Sequence, residues 1–156
     1  DAPESYLAEF GAGGGLTNAL GLARMYAPLA QQGTSGDKPF MSPDQVQVMA
    51  ETAVRGGIDR TLMMPTHFSP GFMKTMNNLD RPGGALESLI LGPSAFGHAG
   101  AGGSLGFAEP ELGLSFGYVM NQMGAGILLN ERGQTLVDAL YQSQGYRHSR
   151  LGDYRR

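Results

Sequence analysis

Cysteine is absent from the sequence, histidine is scarce, and charge of either sign is low: 156 residues carry a formal net charge of only −3. Without cysteine, disulfide bonds, thiol catalysis and thiolate metal sites are excluded. The small net charge gives no overall attraction to nucleic acid or to an anionic membrane surface. No apolar run is long enough to cross a bilayer, and the first ten residues lack a signal-peptide pattern. The sequence predicts no nucleic-acid partner and no membrane span, and it leaves the compartment open, with the cytoplasm slightly favoured.

The three histidines, His67, His98 and His148, are scattered along the chain. None forms an i, i+4 pair, so the sequence predicts neither a metal site nor a cofactor. His67, in "PTHF", is expected to be a loop histidine with satisfied hydrogen bonds. The nine methionines form no continuous stripe and are expected to fill the core.

Glycine is the abundant residue, with 25 copies against an average usage of about 7%. The glycines are dispersed among apolar positions instead of forming a repeat, which indicates tight turns and close backbone approach in a globular protein. A length of 156 residues suits one domain.

Two helices are predicted in the first third of the chain. Thr17 or Asn18 caps the first helix, whose apolar face is expected to contain Leu20, Ala23 and Ala27 and which Pro28 should kink or end. The second begins with "SPDQ", in which Ser42 is the N-cap and Gln45 completes a capping box. This helix is expected to end near residues 56–57.

The middle of the chain, from residue 58 to 91, is expected to hold one or two short strands and then mostly loop. From residue 95 to 121 the pattern predicts antiparallel strands, because apolar and small residues alternate with a period of two, as in "LSFGYVM". Asn130 is expected to cap a final helix that carries an apolar stripe and stops at Gly145. The stripe comprises Leu136, Ala139 and Leu140. Residues 146–156 are expected to form a basic, solvated tail.

The stretch "AFGHAGAGGSLGF", residues 95–107, allows three interpretations. Gly-Gly-Ser-Leu-Gly matches a G-x-S-x-G nucleophile elbow, with Ser104, Asp138 and His148 in the chain order of that triad. The chemistry of an elbow needs a helix directly after the serine, whereas a hairpin pattern follows Ser104. A dinucleotide-binding loop fails for the same reason, since no helix begins after Gly106 to bind a phosphate. The third interpretation starts from His98-Ala99-Gly100.

Between Gly13 and Ser143 the chain resembles the C-terminal part of the β-lactamase-like serine hydrolases, which include class C β-lactamases, DD-peptidases and related esterases. The matching pieces follow the family's order: "AGGGLTNALGLARMYAPL", "MSPDQVQVMA" and "GPSAFGHAGAGGSLGFAEPELGLSFGYVMNQMG". The resemblance implies an α+β fold in which antiparallel strands pack against a C-terminal helix, the C-terminal portion of the β-lactamase/transpeptidase-like fold. Residues 1–145 would form this part of the domain and residues 146–156 the basic tail.

The same resemblance implies the site residues. His98 stands where the family's third motif carries lysine, and Gly100 is followed by Ala101, whose backbone N–H would form half of the oxyanion hole. That donor matters because charge develops on the carbonyl oxygen during acyl transfer. Since an imidazole is mostly neutral at pH 7 whereas a lysine is cationic, the exchange favours an esterase over a β-lactamase.

The family's other two motifs are missing. The chain contains no Y-x-N or S-x-N, and its S-x-x-K spacing, Ser35 to Lys38, falls in a glycine-rich loop. A working S-x-x-K begins a buried helix, where desolvation makes the lysine a base. The sequence therefore predicts the C-terminal portion of a serine hydrolase acting on small-molecule esters or amides, inactive alone. Its partner would be the N-terminal half of the same domain, which supplies the nucleophile, or a second copy in a homo-oligomer. The alternative is a non-catalytic binding or assembly module derived from that fold.

Overall fold

The computed structural model describes residues 3–8, 10, 11, 13, 15–148 and 152–156. The helices are α1 (Ala19–Ala30), α2 (Pro43–Ala50) and α3 (Glu131–Ser143), with short 3-10 turns at Pro3–Tyr6 and Gly84–Leu86. The strands are β1 (Thr34–Ser35), β2 (Lys38–Pro39), β3 (Val54–Ile58), β4 (Pro65–Ser69), β5 (Phe72–Met73), β6 (Phe96–Gly100), β7 (Ser104–Glu109), β8 (Leu114–Tyr118), β9 (Arg147–His148) and β10 (Tyr154–Arg155). Within the described ranges, no helix is long and apolar enough to cross a membrane.

Six strands form one antiparallel sheet in the order β3-β4-β5-β6-β7-β8. The predicted strands between residues 95 and 121 are its β6, β7 and β8, and the segment before them contributes three more. β1 pairs with β2 and β9 pairs with β10 in two small hairpins. The α+β prediction is confirmed, and β8 is an edge strand of the sheet.

Helices cover both faces of this sheet. Successive residues of a strand point to opposite faces. Phe96 and Ala99 of β6, three positions apart, therefore enter different cores. Phe96 packs with Tyr26 of α1 and Val46 of α2. Ala99 lies in the larger cluster, which contains Tyr141 of α3.

Two glycines let α1 lie directly on the sheet. Gly106 of β7 pairs with Gly117 of β8. A Cβ at Gly106 would meet Tyr26 at 2.5 Å and Leu22 at 2.8 Å, and one at Gly117 would meet the Ala23 backbone nitrogen at 2.7 Å. All three distances are far shorter than van der Waals contact, so a side chain at either glycine would push the helix away.

The predicted caps are confirmed, but the predicted apolar face of α1 is wrong. Asn18 caps α1, accepting a hydrogen bond from the Gly21 N–H at 2.8 Å. The buried residues are Tyr26, Leu29 and Ala30, whereas Leu20 is 58% exposed. Pro28 does not end the helix at once, because two more residues follow it.

Helix α2 has the predicted capping box at Ser42 and Gln45, but it ends at Ala50 rather than near residues 56–57. Those glycines lie in β3, where both have positive φ. Asn130 caps α3 as predicted, yet the buried positions of this helix are Gly133, Val137 and Tyr141. The predicted stripe is displaced by one residue, and its Leu136 is 45% exposed.

The segment after α3 is not the solvated tail that its arginines suggested. Tyr154 is buried, stacks on Tyr141 with ring centroids 4.1 Å apart, and donates a hydrogen bond to Asp138. Tyr146 is buried in the same cluster, and Arg156 lies 4.7 Å from its ring centroid. Two tyrosines thus anchor the described part of this segment to the core, while residues 149–151 lie outside the described residues.

Candidate active site

His98 occupies the middle of β6, on the face of the sheet that α1 covers. It pairs with Gly106, which in turn pairs with Gly117, and cross-strand partners share a face. Its side chain is exposed in this chain. Nδ1 lies 2.7 Å from the Ala99 carbonyl oxygen, which can only accept, so Nδ1 carries the hydrogen. In the neutral ring Nε2 is therefore the nitrogen with the lone pair.

The turn after β6 orients the backbone N–H of Ala101. The Gly103 N–H donates to the Gly100 carbonyl oxygen at 3.0 Å, which turns this carbonyl into the hairpin. C=O and N–H point in opposite directions across a trans peptide bond. The Ala101 N–H, on the same peptide as the Gly100 carbonyl, therefore points away from the inside of the turn. Ala101 is exposed. The Ala101 N–H is thus a backbone donor three residues after His98, and its place in an oxyanion hole stays a prediction.

The glycine at position 100 has a steric reason. A Cβ there would overlap the Ser104 hydroxyl across the hairpin. Gly102 and Gly103 adopt φ values of +84° and +108°, which other residues rarely tolerate. The glycines of the motif thus shape a tight hairpin between β6 and β7.

The loop after β8, at residues 124–126, hydrogen-bonds this hairpin. The Gly102 N–H donates to the Gly126 carbonyl at 3.0 Å, and the Gly102 carbonyl accepts from the Gly124 N–H at 2.9 Å. The same carbonyl accepts from Asn130 Nδ2 at 2.9 Å. The sequence identifies Asn130 as a helix cap, but no local pattern indicates its bond to the Gly102 carbonyl.

The alternative nucleophiles are not placed for catalysis. Ser104 begins strand β7, where a nucleophile elbow would need a helix to begin directly after the serine. Asp138 is hydrogen-bonded by Gln134 and Tyr154. The structure therefore rules out a triad at the elbow. Ser35 and Lys38 face each other as a pair of the β1–β2 hairpin instead of standing one turn apart on a helix.

His67 has satisfied hydrogen bonds, as predicted, but it lies in β4 and not in a loop. Nδ1 bonds the Thr75 carbonyl at 3.0 Å and Nε2 bonds the Thr52 hydroxyl at 2.8 Å. Burial lowers the pKa of His67, which keeps the ring neutral. Its role is structural, and in the described part of the chain no three His, Asp or Glu side chains cluster as a metal site would require.

A buried polar cluster connects α3 to β7. No pattern in the sequence predicts this cluster. Glu109 is 2% exposed and accepts hydrogen bonds from Ser94 and from the Tyr141 hydroxyl, the latter at 2.7 Å. The Tyr141 oxygen also accepts from the Gly92 N–H at 2.7 Å. Burial and the Glu109 carboxylate both raise the pKa of Tyr141, so the phenol stays protonated and donates.

Lys74 extends this polar cluster to the start of β6. It is 4% exposed, and its ammonium donates to the carbonyls of Ala50 at 2.8 Å and Ala95 at 3.2 Å. Burial lowers the pKa of Lys74, and the negative charge of Glu109 opposes that shift. The lysine joins the end of α2 to the residue before the strand that carries His98.

The sheet, the C-terminal helix and the histidine hairpin together are those of a known family, whose Beta-lactamase model matches residues 1–139. The chain belongs to the beta-lactamase family. A curated relative, the esterase/beta-lactamase LipL of Mycobacterium tuberculosis (strain ATCC 25618 / H37Rv), is 30% identical over 124 residues, covering 80% of this chain and 26% of LipL.

Solved structures of this beta-lactamase family agree. A family VIII carboxylesterase is 34% identical with a TM-score of 0.65, covering 78% of this chain and 30% of that one. A penicillin-binding protein homolog from Caulobacter crescentus is 32% identical with a TM-score of 0.65, covering 80% and 31%. The chain therefore spans between a quarter and a third of the length of these relatives.

Proposed function

We propose that this chain forms the substrate-side wall of a serine hydrolase that cleaves ester or amide bonds through an acyl-enzyme. The observation that carries the proposal is the end of β6, where the exposed His98 ring and the outward Ala101 N–H lie three residues apart. The nucleophilic serine and its base come from the rest of the domain. LipL is about three times and the family VIII carboxylesterase about two and a half times as long as this chain, which leaves room for them.

In the proposed reaction, the serine oxygen bonds to the substrate carbonyl carbon while the carbonyl π electrons move onto oxygen. The Ala101 N–H hydrogen-bonds that oxyanion, and losing one such donor costs roughly 2.7–4 kcal/mol in mutagenesis of comparable sites. Collapse of the intermediate breaks the bond to the leaving group. The base from the rest of the domain takes the serine proton, and this proton goes to the departing oxygen. His98 hydrogen-bonds the substrate or assists this transfer through Nε2, and water then releases the acid.

Esters are favoured over β-lactams because position 98 carries an imidazole instead of an ammonium. A lysine at this position offers a permanent charge to the carboxylate of a penicillin, whereas a neutral imidazole that donates its Nδ1–H to the Ala99 carbonyl presents only an acceptor nitrogen. Hydrogen bonds to charged groups contribute about 1.5–3 kcal/mol, which amounts to roughly ten- to a hundredfold in turnover. The family VIII carboxylesterase is an esterase by name, in line with this preference, whereas the name of LipL carries both esterase and beta-lactamase.

The ester preference is tested with a longer chain that carries the rest of the domain. We expect kcat/KM for a short p-nitrophenyl ester to exceed that for a chromogenic cephalosporin by at least about tenfold. The matched variant His98→Lys should shift this ratio toward the cephalosporin by about the same factor. A wild-type preference for the cephalosporin, or a ratio unchanged by His98→Lys, would overturn the assignment.

The second candidate is a non-catalytic binding or assembly module. It is favoured by the open edge of β8 and by the hairpin position of Ser35 and Lys38, the S-x-x-K of this chain. An unpaired edge strand accepts another strand, so either the rest of the domain or a second copy of the chain would pair there. Absence of ester and β-lactam turnover in the longer chain would favour this module.

A further inference from the structure

Asn130 is a side chain that hydrogen-bonds the turn presenting the Ala101 N–H, beside the two backbone hydrogen bonds between Gly102 and residues 124 and 126. Asn130 is 7% exposed, and its amide group divides its hydrogen bonds between two elements. Oδ1 accepts from the Gly133 N–H at 3.5 Å, which caps α3, and Nδ2 donates to the Gly102 carbonyl at 2.9 Å. The amide thereby connects the first turn of a core helix to the hairpin after His98.

The packing around this amide is close on the hairpin side and on the loop side. A Cβ on Gly103 would lie 2.8 Å from the Asn130 Cγ, and one on Gly124 would overlap Nδ2. The amide fills the space between these two glycines, which holds the orientation of the Gly102 carbonyl. The Gly102 carbonyl lies two peptide units after the Ala101 N–H, so its orientation affects where that N–H points through the backbone torsions of Ala101 and Gly102.

Capping alone does not require an asparagine. Aspartate and serine cap helices about as well as asparagine. A carboxylate only accepts, and a serine hydroxyl, which can both accept and donate, ends one bond nearer the backbone, so it does not span from Gly133 to Gly102 as the amide does. The buried donor side of Asn130 therefore serves the turn and not the helix.

The geometry points to Asn130 as a positioning residue that aims the Ala101 N–H at the oxyanion of the reacting ester. This role rests on the proposed function, and it assigns to a residue outside the three family motifs a share in the stabilisation of the transition state. Asn130 touches no substrate. It acts through the Gly102 peptide, so its loss should lower kcat more than it alters KM.

The test is Asn130→Asp in the longer chain that carries the rest of the domain. The carboxylate keeps the cap and loses the donor to Gly102. We expect kcat for a p-nitrophenyl ester to fall about tenfold, with KM within about twofold of wild type. Affinity for a boronic acid that mimics the tetrahedral intermediate should fall by the same factor as kcat/KM. Asn130→Ser, which also caps, should reproduce the kcat loss if the aspartate variant is poorly folded.

The matched control is Asn18→Asp. Asn18 is also an N-cap, and its described side-chain hydrogen bond is the cap itself. This variant should keep the wild-type kcat. An Asn130→Asp enzyme with wild-type kcat and boronate affinity, or equal kcat losses in both variants, would overturn the positioning role.

A parallel His98→Ala measurement separates the two proposals. Loss of turnover in His98→Ala together with full turnover in Asn130→Asp removes only the role of Asn130. Full turnover in both variants removes His98 from the mechanism as well, whereas absence of ester turnover in the wild-type longer chain contradicts the proposed function itself.

Discussion

Replacing His98 with alanine in the longer chain should lower kcat/KM for a short ester by roughly a hundredfold. General acid–base and hydrogen-bonding groups of this kind contribute about 10²–10⁴-fold. The thermal midpoint should stay within about 2 °C, because surface positions away from special features change stability by less than ~0.5 kcal/mol. The ring is exposed, and its described hydrogen bond is a local one to Ala99. Steady-state kinetics and a melting curve on the same preparation check both parts.

His98→Gln is the companion variant, since it keeps a hydrogen-bonding group but cannot transfer a proton near pH 7. Turnover near that of wild type in the glutamine variant would assign His98 to substrate binding. Turnover as low as in the alanine variant would assign it to proton transfer. Undiminished turnover in His98→Ala would remove the residue from the mechanism altogether.

Replacing Glu109 with alanine should give the largest loss of stability, about 3–5 kcal/mol in the free energy of unfolding. The change leaves the hydroxyls of Ser94 and Tyr141 without their acceptor. It also removes the nearby negative charge that offsets the buried ammonium of Lys74. The urea midpoint of the 156-residue chain should fall accordingly, with an unchanged m-value if the denatured state is unaffected.

Two control variants separate charge from cavity effects at this position. Glu109→Gln keeps the shape and one acceptor oxygen, so it should lose less than the alanine variant. Glu111→Ala removes an exposed carboxylate two residues away, whose bond to the Tyr146 hydroxyl is 3.3 Å long, and should cost under about 1 kcal/mol. Equal losses in Glu109→Ala and Glu111→Ala would show that the buried cluster contributes little.

Local signals in the sequence predicted local structure well. The capping box at Ser42 and the asparagine caps at positions 18 and 130 are confirmed, because each depends on bonds within four residues. The strands β6 to β8 followed from their period of two. The ends of elements were less predictable. Helix α2 stops at Ala50, and β3 begins to pair with β4 a few residues later, at Val54, a long-range pairing that no local pattern indicates.

Large aromatic residues are one reason why the buried helix faces were mispredicted, beside the burial of Leu29 in α1 and Val137 in α3. The aliphatic stripes of α1 and α3 pointed to Leu20 and Leu136, but the core selected the aromatic residues Tyr26 and Tyr141. Each hydroxyphenyl ring buries a large apolar area while its hydroxyl can find a partner. In the case of Tyr141 that partner is Glu109, 32 residues away in sequence.

Only the part of the candidate site that lies within a sequence motif was predictable. His98, Gly100 and Ala101 came from resemblance, and their catalytic roles stay predictions. The second bond of Asn130 could not be foreseen, because it joins residues 28 positions apart. Two weak signals existed: an amide at a cap, and glycines at 103 and 124 that leave room for it.

The most direct test of the central claim, that this chain supplies the wall and the rest of the domain supplies the nucleophile, is labelling by a fluorophosphonate probe followed by mass spectrometry. The account predicts no labelled serine in the 156-residue chain alone and one labelled serine in the longer chain, outside these residues. A label on Ser104 in the 156-residue chain would contradict it and restore the nucleophile elbow. No label in either chain would also contradict it, in favour of a non-catalytic module.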